Sequence, residues 1–233
     1  MCIFIQRIIF LATMTSTHLP RRKQTITQLL TLTSSPNSEA SISTALVERF
    51  ADGLRQKHGD LTHTQRDLGV NPPPHLDQAT IGAFYTPSDA LTPEQTDIIG
   101  LSDELVEELE AADIIVIGAP MHNFGLASGL KAWVDHVLRV GRTFRYTENG
   151  PEGQLKGKQV YVVTARGGDY AKSSPIHALD HQAPYLKTVL AFIGLDDVTF
   201  IHAQGVAKGE EGIRAAEAQI DAITRGKPDE QAA

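Results

Sequence analysis

Cysteine is almost absent from this chain, and that absence limits its chemistry. Cys2 is the only cysteine in 233 residues, which excludes an internal disulfide, a CxxC redox pair and a zinc site built on cysteines. Redox chemistry here would therefore need a cofactor, and the lone thiol agrees with a reducing cytoplasm. No basic helix or arginine-rich patch stands out, and with a net charge of −7 we expect no nucleic-acid partner.

Long apolar runs are also scarce, and the only notable one lies at the amino end. Residues 1–13, MCIFIQRIIFLAT, are too short to span a bilayer and lack the basic start of a signal peptide. We interpret residues 1–24 as a non-structural leader, with Met14 as an alternative start of translation. We expect no membrane contact; a membrane anchor is the alternative interpretation. Residues 226–233 form a polar tail, which leaves 25–225 as one domain.

Within that domain, strand-like and helix-like stretches alternate, which is typical of βαβ units and a parallel sheet. Predicted strands lie at residues 26–33, 61–68, 114–117, 159–164 and 198–202. Predicted helices lie at residues 42–58, 93–112, 126–137, 185–193 and 210–223. The polar side chains of 61–68 favour an edge strand. The prediction is a doubly wound five-stranded parallel sheet with helices on both faces.

The third predicted strand is the most distinctive element. Ile114–Ile117 is a short β-branched run with no polar face, which is typical of a strand covered on both sides. Gly118, Pro120 and Gly125 are expected to end the regular pattern and form a loop before the next helix. That loop would lie at the carboxyl end of a central strand, where open α/β sheets bind ligands.

A second long connection runs from Gly69 to Leu91 and contains four prolines. It is too long for a plain connection in a compact domain, so we predict that it is either functional or mobile. It could form part of a partner-subunit lid, or it could be only an Ω-like cover. Thr92 should end it as the N-cap of a helix that begins at Pro93.

The loop after the first strand is rich in hydroxyl groups. Residues 34–43, SSPNSEASIS, precede a helix and combine hydroxyls with exposed N–H groups, which suits a phosphate dianion. The loop has neither the GK[ST] ending of a nucleoside triphosphatase nor the GxGxxG of a dinucleotide fold, so a monophosphate is favoured. An ordinary solvated loop with a serine cap is the alternative.

Two further loops follow the third and fourth strands. Residues 120–125, PMHNFG, present main-chain groups between a thioether and an aromatic ring, which suits a planar heterocycle. Residues 166–168, RGG, allow close backbone approach to a ligand. Taken singly, the first could be a packed turn and the second a tight turn with Arg166 in a surface ion pair. Taken together, the three loops favour a ligand with a phosphate at one end and a flat polar ring system at the other. Flavin mononucleotide (FMN) has both.

Four segments carry a family resemblance. They are APMHNFG at 119–125, GRTFRYTENGPEGQLKGK at 141–158, TARGGDY at 164–170 and PYLKTVLAFIGLDDVTFIHAQGVAKGEE at 184–211. On these segments the chain resembles the FMN-dependent NADH:quinone oxidoreductases, or azoreductases, of flavodoxin-like fold. The resemblance implies strand order 2-1-3-4-5, bound FMN, NADH as electron donor, quinone and azo substrates, and a homodimer.

The resemblance also implies roles for individual residues. Ser35 with Ser41, Ile42 and Ser43 is similar to the family's FMN-phosphate loop, with Ile42 contributing only backbone and Ser34 as a close rival of Ser35. Flavin-ring contacts are implied for eight residues: Met121, His122, Asn123, Phe124, Ala165, Arg166, Gly167 and Gly168.

His122, Asn123 and Tyr146 are the substrate-pocket candidates, and no catalytic triad or metal is implied, because flavin N5 carries the chemistry. Two positions depart from the family pattern: His122 replaces a tyrosine and Ala165 replaces a serine. His122 could change the flavin face and its pH dependence, or it could be a polar filler. The alternative functions are a flavodoxin-like one-electron carrier without a nicotinamide site and a cofactor-free scaffold.

Overall fold

A computed structural model describes residues 26–37 and 40–225. Five parallel strands form the main sheet: β1 (Thr27–Thr33), β2 (Leu61–Asp67), β3 (Ile114–Pro120), β6 (Gln159–Ala165) and β7 (Val198–Ala203). Their spatial order is β2-β1-β3-β6-β7. Counting only these strands, this is the expected order 2-1-3-4-5, so the predicted doubly wound topology is confirmed. The leader and the polar tail lie outside the described residues.

The described residues contain six α-helices: α1 (Ile42–His58), α2 (Gln78–Phe84), α3 (Pro93–Ala111), α4 (Ser128–Val137), α5 (Gln182–Phe192) and α6 (Glu211–Arg225). All but α2, which packs against α3, cover the two faces of the sheet. One core joins the sheet to α3, α4 and α5 through Leu105, Trp133 and Leu190. The other joins it to α1 and α6 through Phe50 and Ile220. Helices on both faces are therefore confirmed. Among the described residues, no helix is long and apolar enough to cross a membrane.

All seven residues of β3 are buried, as its β-branched run predicts. The expectation that Gly118 and Pro120 interrupt the strand was wrong, since both belong to β3. A Cβ on Gly118 would lie 2.9 Å from the Val47 side chain, so glycine here lets α1 pack closely on the sheet. Pro120 is the last residue of the strand and pairs with Ala165, at a strand end where a missing N–H is tolerated.

The edge position of β2 is confirmed, and it explains the polar residues of that strand. The long connection 69–91 is not continuous loop, because it contains α2, whose N-cap Asp77 accepts a hydrogen bond from the Thr80 N–H over 2.8 Å. Thr92 is the N-cap of α3, as predicted, and it forms a reciprocal capping box with Gln95.

Two details around α4 and β6 differ from the sequence-based prediction. Leu126 lies before α4 rather than on it, and it packs half-buried against the core. A hairpin of β4 (Phe144–Thr147) and β5 (Gly150–Gly153) precedes β6 and was not predicted. The ring of Phe144 packs 4.7 Å from that of Phe192 at the end of α5, which fixes the base of the hairpin.

Candidate functional site

Hydrogen bonds join the loops that follow β1, β3 and β6, which are neighbours in the sheet. The Ser34 hydroxyl donates to the Gly118 carbonyl over 2.7 Å, linking the first loop to β3. The Met121 N–H donates to the Ala165 carbonyl over 2.9 Å, linking β3 to the third loop. The structure therefore brings the three predicted loops to one edge of the sheet.

The hydroxyl-rich loop ends at the first turn of α1. Ser41 is the N-cap and accepts from the Thr44 N–H over 3.2 Å, while its hydroxyl lies 3.2 Å from that of Ser43. The first-turn N–H groups of a helix have no partner within it, and the helix dipole favours an anion there. Ser41, Ile42 and Ser43 are thus placed where a phosphate would bind.

The two adjacent serines at the end of β1 have different roles. The hydroxyl proton of Ser34 is used by the Gly118 carbonyl. Ser35 instead accepts a hydrogen bond from the Asn37 N–H over 3.3 Å, which leaves its proton for another acceptor. This difference favours Ser35 over Ser34 as a donor to an anion.

The loop after β3 closes into a tight turn. His122 N–H donates to Gly125 O over 3.1 Å, and Gly125 N–H donates to His122 O over 2.9 Å. Between them, Asn123 and Phe124 have φ angles of 46° and 68°, in the left-handed region. Asparagine tolerates that region, but phenylalanine is rare there and costs on the order of 1 kcal/mol. Strain of this kind concentrates at ligand sites, and the Phe124 ring is 45% exposed.

The loop after β6 contains a buried ion pair. Arg166 Nη1 lies 3.0 Å from Asp180 Oδ2, and the two side chains are only 1% and 7% exposed. The alternative of Arg166 in a surface ion pair was therefore wrong. Because its side chain is enclosed, Arg166 can offer a ligand only backbone groups, as can Ala165, Gly167 and Gly168 beside it.

A histidine beneath this loop is held in its neutral form. His202 Nδ1 lies 2.8 Å from the Thr164 hydroxyl, and its ring stacks on Phe200. Burial first, and then the charge of Arg166, lower the pKa of His202 to about 4. Burial likewise lowers the pKa of Arg166, although the neighbouring carboxylate of Asp180 opposes that shift.

A cleft of about 530 Å³ opens beside the tight turn, a volume within the usual range of small-molecule sites. Its lining residues are Ser34, Pro36, Leu68, Gly69, Pro72, His122, Asn123, Gly125, Leu126, Ala127, Ser128 and Gly129. Of the predicted site residues, His122 and Asn123 line it. Tyr146 does not; it stands on the β4–β5 hairpin with 71% of its surface exposed.

The cleft wall at Leu68, Gly69 and Gly129 was not predicted from the sequence. A Cβ on Gly69 would lie 1.9 Å from the Ser35 carbonyl oxygen, and one on Gly129 would lie 2.4 Å from the Leu68 carbonyl oxygen. Both glycines thus permit close backbone approach around the cleft. Two features of the sequence could have indicated this wall: Gly129 lies within the apolar stripe of α4, and Gly69 begins the proline-rich connection.

A larger surface groove, of about 740 Å³, lies between α1 and α6 and contains the ion pair of Arg49 and Asp221. None of the three strand-end loops lines it. Across residues 26–37 and 40–225, no group of three or more His, Cys, Asp or Glu side chains is arranged to hold a metal ion.

Comparison with known proteins places this geometry in a family. The family model described as flavodoxin-like fold matches residues 27–224, a span that includes all three loops. An FMN-dependent NADH:quinone oxidoreductase of Herminiimonas arsenicoxydans is 50% identical over 191 residues, which cover 82% of this chain and 93% of that protein. The chain belongs to the FMN-dependent NADH:quinone oxidoreductase family.

Other members of the family agree in sequence and in structure. A protein of Burkholderia lata with the same name, number 6, is 48% identical over 82% of this chain and 94% of its own length. The structure of an FMN-dependent NADH-azoreductase from Bacillus anthracis str. Ames Ancestor in complex with FMN superposes with a TM-score of 0.77. That alignment has 25% identity and covers 85% of this chain and 98% of the other.

Proposed function

We propose that this chain binds FMN at the strand ends and uses NADH to reduce quinones to hydroquinones and to cleave azo compounds to amines. The strained turn at Asn123 and Phe124, beside the cleft at the carboxyl end of the sheet, is the observation that carries the proposal. The names of the relatives support the same cofactor and donor.

The residues fit a flavin monophosphate. Ser35, Ser41 and Ser43 would hold the phosphate with the N–H groups at the start of α1, without a lysine. The turn containing Asn123 and Phe124 would contact the ring system, with further backbone donors in residues 165–168. The nearby cleft shows that the strand-end edge has room for a small molecule.

Bound FMN would supply two-electron chemistry, accepting hydride at N5 and passing its electrons to the acceptor. One NADH and one proton reduce one quinone, whereas complete cleavage of an azo bond to two amines takes two NADH and two protons. The chain's own contribution is electrostatic. The N–H groups of Asn123 and of Gly167 or Gly168 would stabilise negative charge on the ring's polar edge. His122, which lines the cleft, would contact the acceptor.

We also propose that the chain works as a homodimer in the cytoplasm. Several large apolar side chains are exposed, and Phe124, Ile176 and Leu179 belong to neighbouring segments, since the His181 N–H donates to the Phe124 carbonyl over 3.1 Å. Contact with a second copy would cover such a patch. Tyr146, on its projecting hairpin, would then contribute to a substrate pocket. Sedimentation equilibrium tests this proposal, and a monomer at micromolar concentration would contradict it.

The first experiment follows the visible spectrum of the protein with FMN under anaerobic conditions, while NADH and then benzoquinone are added. We expect NADH to bleach the flavin absorption and quinone to restore it. In separate steady-state assays that vary NADH and quinone, we expect parallel lines in double-reciprocal plots, as for a ping-pong enzyme. If the protein binds FMN but NADH does not reduce the bound flavin, the result would favour the alternative function of a one-electron carrier. A protein that never binds FMN would refute the proposal.

A further inference from the structure

Three buried side chains beneath the strand ends form a polar cluster, which we call the clamp: Arg166, Asp180 and Gln182. Arg166 Nη1 pairs with Asp180 over 3.0 Å, and Arg166 Nε donates to Gln182 Oε1 over 3.2 Å. Gln182 is completely buried, and Arg166 is exposed by only 1%. Nη1 and Nε of Arg166 are therefore held in place by two buried partners, whereas Nη2 has no hydrogen-bond partner among the described residues.

The clamp holds the loop after β3 from the start of α5. The side-chain amide of Gln182 donates to the Ala119 carbonyl over 3.0 Å, immediately before that loop. One residue earlier, at the N-cap of α5, the His181 N–H donates to the Phe124 carbonyl over 3.1 Å, within the strained turn. Asp180 Oδ1 accepts from the N–H groups of Gln182 and Ala183, both over 3.0 Å, which fixes the start of the helix.

The clamp also holds the loop after β6, because Arg166 belongs to that loop. The Arg166 N–H donates to the Ala203 carbonyl over 2.9 Å, and its carbonyl accepts from the Val206 N–H over 3.0 Å. The guanidinium group therefore anchors residues 165–168 against the same helix start that anchors the turn at Phe124. Both loops proposed to contact the flavin ring have a common support.

We propose that Gln182 is a positioning residue for the flavin, which sets the spacing between the turn 122–125 and the loop 165–168 by binding both Arg166 and the Ala119 carbonyl. This inference rests on the proposed function. Gln182 does not touch the ligand, since its side chain is completely enclosed by protein. Its effect is on the alignment of backbone donors, where a displacement of about 1 Å can cost about a hundredfold in rate.

Replacing Gln182 by methionine tests the clamp, because methionine has similar length but cannot pair with Arg166 Nε or the Ala119 carbonyl. We expect Gln182→Met to raise the Kd for FMN at least about tenfold, measured by quenching of flavin fluorescence. At saturating FMN, we expect shifted flavin absorption bands and slower reduction by NADH. If Gln182 had a purely structural role, the absorption bands of bound flavin and its rate of reduction by NADH would both stay unchanged.

A second variant separates the two hydrogen bonds of Gln182, one with Arg166 and one with the Ala119 carbonyl. It also replaces the first variant as the test if that variant does not fold. Gln182→Glu keeps an acceptor for Arg166 and, when ionised, cannot donate to the Ala119 carbonyl, so at alkaline pH we expect an FMN Kd between those of the wild type and Gln182→Met. The control is Asp221→Asn, which breaks the 2.8 Å ion pair with Arg49 near the far end of α6 and should leave the FMN Kd within about twofold.

Two results would overturn the inference in distinguishable ways. Wild-type protein that does not bind FMN would refute the proposed function and this inference with it. If the wild type binds FMN while both Gln182 variants keep its Kd, spectrum and reduction rate, only the positioning role is refuted.

Discussion

His136 Nε2 lies 3.0 Å from the carbonyl oxygen of Pro74, and this contact ties α4 to the proline-rich segment 69–91. The His136 ring is buried and meets the Phe84 ring edge-on at 6.0 Å, so the histidine also supports α2. The same segment begins at the cleft, where Leu68, Gly69 and Pro72 form part of the wall. The contact between His136 and Pro74 thus ties α4 to a segment that extends to the wall of the cleft.

We expect His136→Ala to lower the free energy of unfolding by about 2–4 kcal/mol, because it removes the hydrogen bond to Pro74 and leaves a cavity beside Phe84. Urea unfolding of the apoprotein measures this. His136→Phe keeps the ring volume and should cost less than about 1.5 kcal/mol. Equal losses in the two variants would show that the hydrogen bond, rather than packing, dominates. His75→Ala, at an exposed position in the same segment, is the control.

Gly69 offers a test of the contact between the cleft wall and the phosphate loop. A Cβ there would lie 1.9 Å from the Ser35 carbonyl oxygen, so Gly69→Ala must displace one backbone segment or the other. We expect a loss of about 1–3 kcal/mol in unfolding free energy. We also expect FMN affinity to fall about tenfold, because Ser35 moves.

Gly82→Ala is the matched control, since a Cβ in the middle of α2 would meet nothing within 4 Å. Alanine in that helix should raise the free energy of unfolding by about 0.5–1 kcal/mol and leave FMN binding unchanged. FMN affinity in Gly69→Ala equal to that of Gly82→Ala would show that Ser35 does not need its present position.

Much of this architecture could be predicted from local patterns. The apolar run Ile114–Ile117 predicted the central strand, and Thr92 before Pro93 predicted the start of α3. Both predictions succeed because strand burial and helix capping depend on residues that are neighbours in the sequence. The three strand-end loops followed from the alternation of elements, which places successive parallel strands with their carboxyl ends at one edge.

The features that were missed depend on residues distant in the chain. The β4–β5 hairpin is supported by Phe144 against Phe192, and a Cβ on Gly153 would lie 2.0 Å from the Gly194 nitrogen. Neither contact leaves a pattern within the hairpin itself. Arg166 was expected at the surface because nothing in the sequence marks Asp180 as its partner, and only the fold brings the two side chains together in the interior.

His202 should make stability depend on pH. Its pKa is about 4 in the folded protein against an ordinary value of 6.5, so the unfolded chain binds more protons between these values. The free energy of unfolding should therefore fall as the pH is lowered from 6.5 to 4, by an amount on the order of 3 kcal/mol, and this contribution should level off below pH 4.

The variant His202→Asn isolates this effect from the carboxyl groups, because asparagine can still pair with the Thr164 hydroxyl but does not titrate. Urea unfolding at pH 7, 6, 5 and 4 should show a shallower decline in the variant than in the wild type. Parallel curves would mean that His202 is protonated in the folded protein at about its ordinary pKa.

Asn123 tests whether the strained turn serves the flavin through its backbone or its side chain. Its φ of 46° suits glycine, so Asn123→Gly removes the amide group without adding strain. Asn123→Ala removes the same group but keeps the Cβ, and in the left-handed region a Cβ without the local hydrogen bonds of an amide costs about 1 kcal/mol. The difference between the two variants therefore reports the backbone conformation alone.

If the backbone N–H is the important group, Asn123→Gly should keep the rate of flavin reduction by NADH, while Asn123→Ala should weaken FMN binding about fivefold as the turn relaxes. If the amide side chain matters, both variants should lose affinity equally. Fluorescence titration with FMN and stopped-flow reduction at saturating FMN give the two quantities. Unchanged values in both variants would show that FMN binding and reduction depend neither on the amide side chain of Asn123 nor on the strain of the backbone at this position.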